Sequence, residues 1–180
     1  NIMLQKDGSS TGPYVTFLTH NNSRYLTCFQ NSVANYITPV AENQYFQIKL
    51  ELLGDVSNQK YVIYYNGTKF DNSGQGYGFQ SSCSKLDKVM FSNTNSSSNV
   101  YAFIDQVTVN GSGGPTGLPV WSFENPIDPE DNWANFDSAN LVRNSGKLNV
   151  SILPGKTFGI TTTSVSPFDS AVKSILRLDV

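Results

Sequence analysis

His20 is the one histidine in 180 residues, so any Ser-His-Asp or Cys-His nucleophilic arrangement has to run through it. It stands in His20-Asn21-Asn22-Ser23-Arg24, a group of turn formers between two β-rich runs. With the hairpin centred near Asn22, Cys28 faces Thr16 and not His20, which disfavours a Cys28–His20 dyad. There is no P-loop, no GxSxG elbow and no HExxH helix. Glu124, Asp128, Glu130, Asp131 and Asp137 concentrate acid groups, but their spacing follows no EF-hand loop. Nothing fixes which two of them would face each other at the roughly 5–10 Å that a paired-carboxylate hydrolase needs. The glycines of Gly74-Gln75-Gly76-Tyr77-Gly78 and Gly111–Gly114 precede no helical pattern, and so read as turn glycines and not as phosphate cradles. The chain is expected to be non-enzymatic, with no catalytic residue, metal ligand or cofactor. What remains is polar recognition chemistry. Asp71, Asn72, Gln75 and Tyr77 share one loop, and His20, Asn22 and Arg24 share the first hairpin turn.

Those groups have to be positioned by strands. In Tyr45–Leu52, Phe46, Ile48, Leu50 and Leu52 alternate with Gln47, Lys49 and Glu51, the period of a half-buried strand. Val15–Thr19 and Tyr25–Phe29 flank the His20–Arg24 turn, and Tyr36–Val40 is a weaker strand cut off by Pro39. Tyr61–Tyr65 runs into Asn66-Gly67, whose tolerance of positive φ makes it the clearest hairpin signal in the chain. Residues 1–13 read as a tail or a short edge strand. Tyr25, Leu26, Phe46 and Ile48 are expected in the core.

Further strands follow at Lys88–Ser92, Val100–Ile104, Val107–Val109 and Val120–Phe123, so that 1–125 reads as three four-stranded units of decreasing fidelity. The first unit resembles fascin-like and lectin-type β-trefoils, through Ser23-Arg24-Tyr25-Leu26-Thr27 on its second strand and Gln44-Tyr45-Phe46-Gln47-Ile48 on its closing one. The Gln-x-Trp triplet of ricin-type trefoils is absent, so that subfamily's sugar-binding residues do not carry over. The expected class is all-β, a β-trefoil-like domain over 1–125 with a C-terminal β extension over 126–180. A single β-sandwich or jelly roll is the alternative. The extension should hold a short helix, with Asp128 as cap, Pro129 in the first turn and Trp133 and Phe136 on one face, then about three strands near 148–152, 158–160 and 176–180.

A surface made polar by Asn, Ser, Thr, Gln and Gly, together with the trefoil resemblance, implies a carbohydrate-binding protein, a lectin. Aromatic faces stack on the C–H side of a sugar ring while amides and carboxylates take its hydroxyls. Asp71, Asn72, Gln75 and Tyr77 combine these types, with Tyr77 as the binding aromatic; His20, Asn22 and Arg24 are the second group. A hydrophilic turn needs the same residues. The alternatives are a protein-binding trefoil, inhibitor or scaffold, and a membrane-active toxin subunit using Gly159–Ser166.

Net charge of −2, with 14% charged residues, supplies no basic field for nucleic acid. No apolar run reaches the roughly 18–20 residues of a membrane span, and the first residues lack signal-peptide order, which leaves a secreted or a cytoplasmic location open. Cys28 and Cys83 are too few and too far apart for zinc or a CxxC motif, and read as free thiols in preference to one disulfide. The five Asn-x-Ser/Thr sites, at Asn21, Asn66, Asn95, Asn110 and Asn149, match what chance yields in such a composition. Glycans are the expected partners, and the C-terminal extension is the expected route to a homo-oligomer.

Overall fold

Three two-residue turns set the registers of the N-terminal half. Asn21-Asn22, Asn31-Ser32 and Asn66-Gly67 have positive φ at both positions, 48° and 59°, 48° and 65°, and 47° and 81°. That conformation matches the twist of the strands it joins, and Asn and Gly adopt it at least cost. The first turn pairs His20 with Ser23 and Cys28 with Val15. The register is therefore one residue away from the expected Cys28–Thr16 pairing, because the turn is centred between Asn21 and Asn22 and not on Asn22. A one-residue slip exchanges the faces of a strand.

The structure, a computed structural model, describes residues 2–5, 11–41, 44–54, 56–82, 88–93, 100–104, 106–111, 120–121, 133–134, 140–144, 147–152, 154–155, 157–161 and 174–179. Its strands are β1 (Ile2–Gln5), β2 (Thr11–His20), β3 (Ser23–Gln30), β4 (Val33–Pro39), β5 (Gln47–Leu52), β6 (Lys60–Tyr65), β7 (Thr68–Phe70), β8 (Tyr77–Gly78) and β9 (Lys88–Ser92). They continue as β10 (Val100–Ile104), β11 (Gln106–Gly111), β12 (Val120–Trp121), β13 (Trp133–Ala134), β14 (Asn140–Asn144), β15 (Lys147–Ile152), β16 (Thr157–Thr161) and β17 (Ser174–Asp179). A 3-10 turn, Val56–Asn58, leads into β6. The protein is all-β. Among the described residues no helix is long and apolar enough to cross a membrane.

Every pairing is antiparallel. One sheet has the order β13-β16-β9-β1-β2-β3-β4, a second β12-β11-β17-β5-β6-β7 with β8 also on β6, and a third β10-β15-β14. Strands from 126–180 enter all three: β16 pairs β9, β17 lies between β5 and β11, and β15 pairs β10. The strand expected to close the first four-stranded unit, β5, pairs with β6 and β17 and leaves β2–β4 in the other sheet. β1 is an interior strand between β9 and β2, not the edge or tail expected of residues 1–13. Trp133–Ala134 pairs with Ile160 and Gly159 as β13, while 122–132 and 135–139, the rest of the segment expected to hold a helix, lie outside the described residues.

Alternation decides which faces meet. Val15, Leu26 and Cys28 from the first sheet are buried, as are Ile48, Leu50, Leu52, Tyr61 and Ile63 from the second. The two sets pack on each other: the Tyr61 hydroxyl donates to the Tyr14 carbonyl at 3.3 Å and lies beside the Cys28 thiol, and Phe17 meets Phe46 at a ring separation of 4.9 Å. Each fully buried side chain of this size contributes about 1.5–3 kcal/mol. The reverse faces are covered too. Thr16 and Thr27, directly opposite each other, are buried, and so are Glu51 and Val62. Glu51 is reached by Lys49 Nζ at 2.9 Å, and the same ammonium lies 3.9 Å from the centre of the Tyr64 ring.

Cys28 is a free, buried thiol. Burial pushes it up to about 12, with the Tyr61 hydrogen bond acting in the opposite sense, and burial also raises Tyr61 well above its ordinary value. The folded state thus holds these protons more tightly than the unfolded chain does. Stability is complete below the ordinary thiol value of 9.0 and falls as pH rises from there towards 12. The urea midpoint should be flat through neutral pH and decline over that alkaline window. In a Cys83→Ser background, iodoacetamide at about pH 8 should leave native protein unlabelled and label it in urea, since only the thiolate reacts. Rapid native labelling would contradict the burial of Cys28.

Candidate functional site

Asp71–Tyr77 follows β7 and folds back on itself. Asn72, Ser73 and Gly74 have φ of 51°, 57° and 85°, a single left-handed turn that Asn, Ser and Gly are suited to make. Asp71 Oδ1 accepts from the Gly74 N–H at 3.0 Å, and its other carboxylate oxygen lies 3.0 Å from Lys69 Nζ. The Lys69 ammonium, hydrogen-bonded to it, holds the Asp71 carboxyl below its ordinary value. The Asp71 carbonyl accepts from the Gly76 N–H at 2.8 Å, and Asn72 Nδ2 donates to the Gly76 carbonyl at 3.3 Å. Tyr77 turns inward. Its ring is 6.2 Å from that of Tyr61, desolvation raises its pKa, and the Asn72 backbone hydrogen-bonds its hydroxyl. Of the four residues expected to bind here, Gln75 stays exposed, while Asp71, Asn72 and Tyr77 use their polar groups or ring on the loop and the core.

The first hairpin turn is different. Period-two alternation places Leu18, His20 and Tyr25 on the face opposite Phe17 and the buried Leu26 and Cys28. Between β3 and β4, Thr27 pairs with Tyr36, and a register shift follows between Leu26 and Thr27. The register set by the Asn31-Ser32 turn thus puts Tyr36 on the same face as Tyr25 and His20. The His20 and Tyr36 rings stack at 4.2 Å and 23°, Tyr25 meets His20 edge-on at 6.1 Å and 72°, and Tyr25 meets Tyr36 at 5.8 Å and 74°. His20 and Tyr36 are exposed, Tyr36 by 42%, and Tyr25 is half-buried. Asn22 is exposed in the turn beside them. Arg24 pairs with Thr19 and so belongs to the other face of the hairpin.

The structure therefore brings His20 against two tyrosines outside the expected candidate groups, leaves Asn22 exposed in the same turn, and places Arg24 on the other face. Tyr25, expected in the core with Leu26, lies on the face opposite to it, since neighbours in a strand cannot share a face. Tyr36 was findable: pairing Gln30 with Val33 across an Asn31-Ser32 turn carries β4 back along β3 to Tyr36 opposite Thr27. Among the described residues, no three His, Cys, Asp or Glu side chains come together in a way that could hold a metal ion. The acidic residues Glu124, Asp128, Glu130, Asp131 and Asp137 lie outside the described residues. No protein-family model matches the chain, and no curated protein matches it.

Proposed function

We propose that the protein binds carbohydrate without catalysing a reaction, and that the contact is the patch formed by His20, Tyr25 and Tyr36 with Asn22 at its edge. The observation that carries this reading is the exposed His20–Tyr36 stack at a sheet end, whose outer ring face is a small aromatic platform, with the Asn22 amide exposed in the adjoining turn. Such a platform takes the C–H face of a sugar ring, and the Asn22 amide offers both a donor and an acceptor to its hydroxyls. The Asp71–Tyr77 loop is the weaker of the two candidates, because its polar groups are already engaged. Of the two finer architectures, face-to-face packing of two large sheets, with β17 inserted between β5 and β11, favours the β-sandwich over the β-trefoil.

A glycan array followed by isothermal titration tests the reading. Tyr36→Ala should weaken binding of the glycan that the array selects by roughly fivefold to tenfold, the worth of one stacked aromatic ring. Because Tyr36 is exposed, far-UV circular dichroism should be unchanged. Gln75→Ala should bind like wild type. A wild-type chain that binds no glycan, or a Tyr36→Ala variant that binds normally, overturns the proposal.

A further inference from the structure

We infer that a second, separate ligand site lies in the cleft between the Asn31-Ser32 turn, Asn58–Lys60 and Gly78–Ser82, and that it takes a monosaccharide-sized carboxylate bearing hydroxyl groups, a sugar acid. The cleft measures about 250 Å³. That is below the roughly 300–1,000 Å³ of pockets for drug-sized molecules, and suits one six-membered ring with a small substituent.

Its walls are tied together by hydrogen bonds between distant segments. The Asn31 N–H donates to the Phe79 carbonyl at 3.2 Å, the Phe79 N–H donates to the Gln59 carbonyl at 2.9 Å, and the Ser32 N–H donates to Gln80 Oε1 at 3.1 Å. A cleft held this way is preorganised, and a ligand entering it does not bear the cost of ordering the wall. Phe79, 3% exposed, supplies an apolar floor. Gln59 keeps φ at 53°, a conformation that a non-glycine residue adopts only when its surroundings hold it there.

The charge at the rim selects the ligand. Lys49 and Lys69 are each within 3.0 Å of a carboxylate oxygen, whereas Lys60, which lines the cleft, has no carboxylate partner among the described residues. The side chains of Asn31 and Ser82, also lining it, have no hydrogen-bond partner among the described residues either. Lining residues that offer an ammonium, an amide and a hydroxyl to one cleft are a complement for a carboxylate carried on a polyol. A neutral sugar would leave the ammonium without a counter-charge, and a bare carboxylate would leave the amide and hydroxyl unused.

This site stands apart from the His20–Tyr36 patch, and titrations with D-glucuronate, D-glucose and acetate on wild type, Tyr36→Ala, Lys60→Gln and Lys60→Arg separate the two. Lys60 is exposed at the start of β6, so its variants should fold normally. D-Glucuronate should bind more tightly than D-glucose by roughly threefold to fivefold, what an exposed ion pair adds, and the preference should shrink with added salt. Acetate should give no saturable signal. The preference should survive Tyr36→Ala and Lys60→Arg and vanish in Lys60→Gln. If wild type shows no saturable glucuronate binding, or if the preference persists in Lys60→Gln, the cleft assignment is overturned, and the surface patch keeps its own test.

Discussion

Tyr61→Ala should leave the chain unfolded under conditions in which the wild type is native. Tyr61 is completely buried at the meeting of the two large sheets, with its ring 6.2 Å from those of both Tyr77 and Phe79 and its hydroxyl bonded to Tyr14 in the opposite sheet. Truncating a buried aromatic to alanine costs about 3–5 kcal/mol, a large part of the 5–15 kcal/mol that holds a typical domain together. Tyr61→Phe separates packing from polarity. It keeps the ring and removes the hydroxyl, so the Tyr14 carbonyl and the Cys28 thiol lose that partner, at a cost of about 1–2 kcal/mol. Urea denaturation of both variants should therefore show a folded, weakened Tyr61→Phe and no cooperative transition for Tyr61→Ala. A native-like transition for Tyr61→Ala would show that the sheets do not depend on this contact.

Gly76→Ala should destabilise by about 2–3 kcal/mol, and Gly74→Ala by about 1 kcal/mol, although the two are two residues apart in one loop. Both glycines have positive φ, 71° and 85°, so an added Cβ brings conformational strain at either position. The difference lies in space. At Gly74 a Cβ meets nothing within 4 Å, whereas at Gly76 it would lie 2.5 Å from Leu53 Cδ1 and 3.1 Å from the Tyr61 carbonyl oxygen. The leucine methyl can swing away; the carbonyl belongs to β6 and cannot without disturbing the ladder. Equal thermal midpoints for the two variants would mean that strain alone matters in this loop.

Local chemistry was legible in the residues. Asn66-Gly67 announced its hairpin, and Ile48, Leu50 and Leu52 announced the buried face of β5. The strands at 147–152, 157–161 and 174–179 were readable from alternation as well. Registers were less secure, since Asn21-Asn22 and a turn centred on Asn22 look alike until both φ values are known. Burial of Glu51 was not legible, because a charged residue alternating with leucines reads as solvent-facing unless the cover on the second face is known. His20 and Asn22 stand out as candidates by residue type alone. The stacking of Tyr36 on His20 was not legible, because the Asn31-Ser32 turn sets where Tyr36 falls, and neither was the inward turn of Tyr77, whose ring meets Tyr61 only because β8 pairs with β6.

The position of β17 carries a consequence for the order of assembly. β5 finds β6 a few residues downstream, but its other neighbour is separated from it by about 120 residues of chain. On the ribosome, β5 and β11 are both made before the strand that joins them, so each carries an open edge until residues 174–179 emerge. Pairings of such separation are slow to form, because a long loop has to close before any contact rewards it. The exposed edges are meanwhile templates for wrong partners. Nascent chains stalled before residue 174 should therefore bind chaperones and resist compaction.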